Sequence, residues 1–258
     1  MRHYSHPALT YQVNVSLSGP STHYAHPRAR HHRKKATFVP DVIQVLRSTK
    51  LEFVRTEHEG DDIHSLFFTP QSRFRHRAGQ HGLFFASKVS MHPFTLANAP
   101  HEDYVILGTH LREGSAFKHR LGALEPGDVL TMRGPMQDFT IDDSCNSATL
   151  VAQGIGITPF RSILLDIRHR RLTITTELIH IGSTHPYRSL TESLADHSQY
   201  PTRRDEFTGQ IERLAKAAAS DNAFYLSGAS SFVKEVAGAL RGHGVRKSMI
   251  KTDAFLGY

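Results

Sequence analysis

Short runs of apolar residues, interrupted by turn residues, fill the chain from about residue 48 to residue 132. Their length and partial alternation of apolar and polar positions predict half-buried strands. Turns such as Pro126-Gly127-Asp128 and Gly134-Pro135 separate some of them, and one helix is predicted over 114–124. This pattern favours a small antiparallel barrel or sandwich, with strands over 50–55, 63–68, 82–86, 104–109 and 129–132.

The pattern changes after the polar segment 142–147, which is typical of a linker. Apolar runs of strand length then alternate with stretches of helical periodicity, and this order predicts a parallel sheet with crossover helices. Strands are predicted over 148–152, 174–181, 223–227 and 247–252, and helices over 159–170, 188–197, 209–219 and 231–243. The sequence therefore predicts a tail over 1–47, a β domain over 48–145 and an α/β domain over 146–258, with a cleft between the two domains.

The most informative segment is 148–159, where an apolar strand runs into Gly154, Gly156, Thr158 and Pro159. A strand, a glycine turn and a helix N-terminus together form a phosphate-binding corner, although a bare Gly-x-Gly also occurs for turn geometry alone. The standard dinucleotide fingerprint has a third glycine and an acidic residue roughly 20 positions further on. Here Thr158-Pro159 stand at the place where the fingerprint approaches its third glycine, and the next strand ends at Gly182-Ser183 without an acid. The turn is therefore a different kind of phosphate loop.

The net charge of +7 lies in the first 50 residues, which hold eight Lys or Arg and one acid, whereas the rest holds 23 of each sign. We therefore expect no specific nucleic-acid binding by the body of the protein. Residues 1–47, with the basic cluster 31–35, are typical of a disordered tail. The open alternatives for this tail are an anchor for an acidic partner, nucleic acid or a membrane surface.

The single cysteine, Cys145, excludes an intrachain disulfide and an iron–sulfur cluster held by four cysteines of this chain. No apolar run approaches the roughly 18 residues of a membrane helix. The first residues also lack the apolar stretch of a secretion signal, so a cytoplasmic location is expected. No metal site is predicted, because the many histidines show no ligand spacing.

Four segments together resemble the ferredoxin–NADP reductase superfamily of flavin oxidoreductases, over roughly four-fifths of the chain. His92-Pro93-Phe94-Thr95 takes the place of a flavin-binding Arg-x-Tyr-Ser/Thr motif, and Gly114-Ser115 that of a stretch capping the flavin phosphate. Gly154–Pro159 matches the family's Gly-x-Gly-Ile/Val-Thr-Pro turn for the nicotinamide nucleotide. Ser227-Gly228 takes the place of a Cys-Gly motif, and the end from Asp253 to Tyr258 resembles the terminus of bacterial members.

The resemblance implies a small antiparallel flavin-binding β-barrel followed by a nucleotide-binding α/β domain, with FAD (or FMN) as cofactor and NAD(P)H as co-substrate. Phe94 and Phe255 would lie against the two flavin faces, and Thr95 near N5, where hydride arrives. Thr95, Ser227 and Phe255 are the predicted catalytic residues. The predicted cofactor-binding residues are His92, Pro93, Phe94, Thr95, Gly114, Ser115, Gly154, Gly156, Thr158, Pro159, Ser183, Arg188, Gly228, Asp253 and Phe255.

Three departures from the family pattern bear on function. His92 replaces an arginine that would bind phosphate, Phe94 lacks a hydroxyl, and Ser227 replaces the cysteine. We expect lower flavin affinity or FMN in place of FAD, with Arg112, Lys118 or Arg120 as substitutes for the lost charge. The hypothesis is a flavin oxidoreductase that passes electrons to a separate ferredoxin, flavodoxin, partner oxygenase or small molecule. The alternative is a non-catalytic flavin- or nucleotide-binding module.

Overall fold

The computed structural model describes residues 48–85, 90–111, 115–137, 139–217 and 221–255. The predicted tail over 1–47 lies outside the described residues. So do Gly114, predicted to bind the flavin phosphate, and Arg112, named as a substitute cation.

The first sheet has six strands, each antiparallel to its neighbours, in the order β4-β3-β6-β1-β2-β5. The sheet curls so far that its two edges meet. The Ala97 amide, just after the edge strand β4, donates to the Ile106 carbonyl on β5, the opposite edge, at 2.9 Å. This arrangement confirms the predicted antiparallel β-barrel class. The elements are β1 Ser48–Gly60, β2 Ile63–Pro70, β3 His81–Phe85, β4 Met91–Thr95, β5 Val105–His110, helix α1 Ala116–Gly122 and β6 Val129–Met136.

Alternation of apolar and polar positions accounts for this sheet. In β1 every second residue from Thr49 to Phe53 is buried and those between are exposed. The inward side chains meet Phe68, Phe84 and Phe117, which are almost fully buried. Removing such side chains from water supplies roughly 1.5–3 kcal/mol each, so this core holds α1 against the sheet.

The second sheet has five parallel strands in the order β11-β10-β7-β8-β9. Buried apolar runs such as Leu150–Ala152 form its centre, as expected of a parallel sheet covered on both faces. The predicted α/β class is confirmed. The elements are β7 Ser147–Gln153, helix α2 Thr158–Arg170, β8 Thr175–Ile181, α3 Arg188–Leu194, β9 His197–Gln199, α4 Arg204–Ala217, β10 Asn222–Ala229, α5 Ser230–Gly242 and β11 Ile250–Phe255, with 3₁₀ turns at Gly154–Ile157 and Lys247–Met249.

Three predicted boundaries of helices and strands in the α/β domain are wrong. The helix predicted over 188–197 ends at Leu194, and the polar His197–Gln199 forms the short strand β9. Helix α4 begins at Arg204 rather than at residue 209. Asp205 and Glu206 lie in its first turn, where their negative charges complement the helix dipole. Strand β11 begins at Ile250 rather than 247, so that Asp253 and Phe255 lie within it.

The two sheets are joined by a shared apolar core and by buried polar contacts. Ala78, Phe139 and Ile141 pack in one cluster with Phe160 and Ile163 of α2. Between Phe160 and Ile163 in α2, Arg161 and Ser162 donate hydrogen bonds to the loop that follows β4. In the part of the chain that the structure describes, no helix is long and apolar enough to cross a membrane.

Candidate functional site

A cleft of about 450 Å³ lies where the antiparallel sheet meets the carboxyl ends of the parallel strands. This volume falls within the range of small-molecule sites. Three segments distant in sequence meet here: the edge strand β4, the start of α2 and the end of β11. Among the predicted site residues, the cleft is lined by His92, Pro93, Phe94, Thr95, Thr158, Asp253 and Phe255.

Asp253 joins the two domains at this cleft. Thr95 of the β domain and Ser227 of β10 both donate to Oδ2 of Asp253, at 3.5 and 3.4 Å. The carboxyl group is buried, and burial raises its pKa, while His81 and the two hydroxyls act in the opposite direction. The three side chains therefore form one polar group, set across the boundary between the sheets.

Phe94 is fixed by the core of the β domain. Its ring stacks on Phe117 with centroids 5.7 Å apart and meets Phe84 edge to face at 5.8 Å. The ring is only half-buried and its remaining surface lines the cleft. Phe94 thus presents apolar aromatic surface to a ligand in one orientation set by packing.

His92 lies near the N-terminus of α1. Its Nε2 is 3.5 Å from the Ser115 hydroxyl oxygen, and its ring centroid is 4.7 Å from that of Phe117. Burial and, to a smaller extent, the charge of Lys118 lower the pKa of His92. The imidazole is therefore a poorer substitute for arginine than its ordinary pKa suggests. Lys118 lines the same cleft, whereas Arg120 lies 3.8 Å from Asp128, so Lys118 is the better-placed cation.

The glycine turn is packed against the end of β10. Gly154 has a φ of 53°, a left-handed conformation that favours glycine. A Cβ on Gly156 would lie 2.4 Å from the Ser227 carbonyl oxygen, and one on Gly228 would lie 2.9 Å from the Gln153 side chain. The turn and the Ser227-Gly228 segment therefore touch through backbone, an approach that only glycine permits.

Thr158 and Pro159 begin α2 directly after this turn. The Thr158 hydroxyl donates to the Ile155 carbonyl at 3.1 Å, so it stabilises the turn itself, while the residue also lines the cleft. Pro159 lies in the first helical turn, where its missing amide hydrogen leaves no intrahelical bond unmade.

Ser183 and Arg188 do not line this cleft. Ser183 is exposed on the loop after β8. The Arg188 guanidinium lies over the Tyr200 ring at 4.6 Å, with Nε 3.7 Å from Glu192. Arg188 instead lines a second cavity of about 450 Å³, together with Tyr187 and Arg161.

His180 on β8 contacts the glycine turn and is not among the residues predicted from the sequence. Its Nε2 lies 2.8 Å from the Gly154 carbonyl oxygen, and the side chain is fully buried. Burial lowers the pKa of His180 to about 4, so the ring is neutral near pH 7 and donates to Gly154. The available signal was a polar residue inside the apolar run 178–181, but it gave no indication of a contact with the glycine turn.

Replacing His180 with glutamine should flatten the loss of stability in acid. Because the folded pKa of about 4 lies below the ordinary value of 6.5, the neutral ring favours folding above pH 6.5, and this contribution disappears as the pH falls toward 4. At about 1.4 kcal/mol per pKa unit, the loss reaches about 3 kcal/mol. Melting temperatures measured from pH 7 to pH 4.5 should fall less steeply with pH for H180Q than for the wild-type protein. H243Q, at an exposed site, is the control. A wild-type pH dependence in H180Q, or an equally reduced pH dependence in H243Q, would contradict this prediction.

Together, the curled antiparallel sheet, the parallel sheet and the glycine turn at their shared cleft are those of the ferredoxin reductase-like fold. A solved ferredoxin NADP+ reductase from Neisseria gonorrhoeae with bound FAD and NADP shares it, with a TM-score of 0.67, 17% sequence identity, and coverage of 80% of this chain and 98% of that chain. The predicted resemblance is thereby confirmed at the level of fold.

Among curated proteins, the flavohemoprotein of Bacillus subtilis (strain 168) is 24% identical over 208 residues, which are 69% of this chain and 52% of the relative. The match thus spans about half of that protein. A probable dihydroorotate dehydrogenase B (NAD(+)) electron transfer subunit from Methanopyrus kandleri is 26% identical over 206 residues, 75% of each chain. No protein-family model matches the chain.

Proposed function

We propose that this protein is an NAD(P)H-dependent flavin oxidoreductase that passes electrons to a separate acceptor. The observation that carries the proposal is the single cleft that brings together Phe94, Thr95, Asp253 and Phe255 beside the glycine turn. Relatives and structural neighbours whose names include FAD, NADP or electron transfer support it. FAD is the proposed cofactor, with FMN as the alternative.

The cleft has the chemistry that a flavin requires. Its aromatic side chains, Phe94 and Phe255, suit a planar apolar ring, Thr95 suits the polar edge of that ring, and Lys118 suits a phosphate. The Asp253 carboxyl group holds the hydroxyls of Thr95 and Ser227 in place across the domain boundary. A bound flavin would supply the redox chemistry, accepting hydride from the nicotinamide and releasing electrons.

We propose the glycine turn as the docking point of the nicotinamide nucleotide. Gly154 is half-buried, Gly156 lets the turn pack closely on β10, and the helix N-terminus that follows favours phosphate. His180 would act as a positioning residue, because its hydrogen bond fixes the Gly154 carbonyl.

The second candidate is a flavin- or nucleotide-binding module without turnover. The observation that favours it is at Ser227, which takes the place of the cysteine in the family motif and is fully buried with its hydroxyl donated to Asp253. Both candidates predict ligand binding, and they differ only in whether reduction follows.

The test is to purify the full chain, identify any released flavin by chromatography, and titrate it anaerobically with NADH and NADPH. We expect bound FAD or FMN whose absorbance bleaches on addition of a reduced nicotinamide nucleotide, followed by dye reduction at steady state. Flavin that stays oxidised would favour the non-catalytic module. Failure to bind either flavin at micromolar concentration would overturn both candidates as flavoproteins.

A further inference from the structure

The loop after β8 receives an acidic side chain from the β domain. Asp61 lies at the tip of the hairpin between β1 and β2, and the Thr184 hydroxyl donates to its Oδ2. The packing is tight, since a Cβ on Gly60 would lie 2.7 Å from the Thr184 methyl carbon. The hairpin thus places a carboxylate on the loop formed by Gly182, Ser183 and Thr184.

This position has a defined meaning in nucleotide-binding sheets. An acid at the carboxyl end of the second strand accepts hydrogen bonds from the adenosine ribose 2′-hydroxyl, and a phosphate at that position is repelled. The acid usually comes from the same domain, roughly 20 residues after the glycine turn. In this chain β8 is followed by Gly182, Ser183 and Thr184 without an acid, and Glu177 lies earlier in the strand, where Gln199 and Arg213 donate to it. We propose that Asp61 supplies it from the other domain and makes the nucleotide site selective for NADH over NADPH. The inference rests on the proposed function, since it assumes that the glycine turn binds a nicotinamide nucleotide.

The two arginines near the loop contact other side chains. The second cavity, which adjoins the loop, is lined by the acids Glu57 and Glu59 and by the cations Arg161 and Arg188. The Arg161 guanidinium is paired bidentately with Glu102 at 2.8 and 2.9 Å. Arg188 is held over Tyr200 and lies near Glu192.

Ser65 on β2 connects the hairpin to Tyr187, which follows the loop. Its hydroxyl donates to Glu59 at 2.7 Å and lies 2.6 Å from the Tyr187 hydroxyl. Tyr187 therefore lies between the hairpin and α3 and helps to hold the acidic hairpin against the loop. A 2′-phosphate on this loop would lie beside the Asp61 carboxylate, whereas a ribose hydroxyl would find an acceptor there.

Asp61→Asn tests the charge with little strain. Asp61 has a φ of 46°, and asparagine tolerates this left-handed conformation about as well as aspartate. The ligands are ADP-ribose and ADP-ribose 2′-phosphate, which differ only at the ribose and need neither flavin nor turnover. Their affinities for the full chain are measured by calorimetry, and folding is checked by melting temperature.

We expect the wild-type chain to bind ADP-ribose at least about tenfold more tightly than its 2′-phosphate at low salt, and D61N to lose most of that difference. The neighbouring variant D62N is the matched control, because Asp62 is engaged by His110 at 3.3 Å; it should keep the wild-type preference. Equal wild-type binding of the two ligands, or an undiminished preference in D61N, would overturn the inference while leaving a nucleotide site intact. If neither ligand binds the wild-type chain, the nucleotide site of the proposed function is wrong as well.

Discussion

Replacing Gly156 with alanine is expected to weaken nucleotide binding by at least about 100-fold and to lower stability by about 1–3 kcal/mol. The new Cβ would lie 2.4 Å from the Ser227 carbonyl oxygen, 2.7 Å from its carbon and 3.0 Å from the Gly228 nitrogen. All three are backbone atoms of β10, which cannot rotate away as a side chain would. The turn must therefore move away from β10, and the backbone amides that would face phosphate move with it.

Calorimetry with ADP-ribose and a thermal melt of each variant measure the two effects. Gly209→Ala in helix α4 is the matched control, because nothing lies within 4 Å of its added Cβ. Alanine there should instead raise stability by roughly 0.5–1 kcal/mol, the helix-propensity difference. Near-normal ADP-ribose binding by a folded G156A would show that the turn is not where the nucleotide docks.

Replacing Glu102 with alanine is expected to lower the free energy of unfolding by about 3 kcal/mol. The Glu102 carboxylate accepts two hydrogen bonds from Arg161, at 2.8 and 2.9 Å, and one from the Ala99 amide at 2.6 Å. The Arg161 side chain is only 10% exposed, against 25% for Glu102. Losing one partner of a buried ion pair costs about 3–5 kcal/mol, and the lower end applies because Glu102 is partly hydrated.

Urea unfolding of the full chain measures this loss. In the exposed pair of Arg203 and Asp205, whose side chains are 70% and 66% exposed, Asp205→Ala should leave the free energy of unfolding nearly unchanged. Combining Glu102→Leu with Arg161→Met should recover much of the loss, since no charge then remains buried. A change in E102A no larger than that in D205A would contradict the role of this pair in joining the domains.

The fold class could be predicted from the sequence because the strands of each sheet have a characteristic pattern of apolar residues. Alternation in β1 and the buried run of β7 are local patterns, and both were readable. Strand β9 was not, because three polar residues, His197–Gln199, carry no apolar period. The late start of β11 was missed for a similar reason, since the 3₁₀ turn at Lys247–Met249 is followed by strand with no break in composition.

In the candidate site, too, contiguous features could be predicted from the sequence and contacts between distant residues could not. The glycine turn is contiguous, so its residue types alone indicated a phosphate loop. The contact between Thr95 and Asp253 joins residues 158 positions apart, and no periodicity encodes such a pair. Asp61 and His180 act on the loops around the turn only through the way the chain folds back. The predicted roles of the individual site residues remain predictions.

The apolar core shared by the two sheets has a consequence for how ligands enter. A hinge motion that separated the domains would uncover Phe139 and Ile141, which pack against α2, at a cost of roughly 1.5–3 kcal/mol for each side chain. It would also break the contacts of Arg161 with Glu102 and the Ala97 carbonyl. Wide opening is therefore a rare event. We therefore expect the separation between the two sheets to stay nearly constant when a small molecule enters or leaves the cleft.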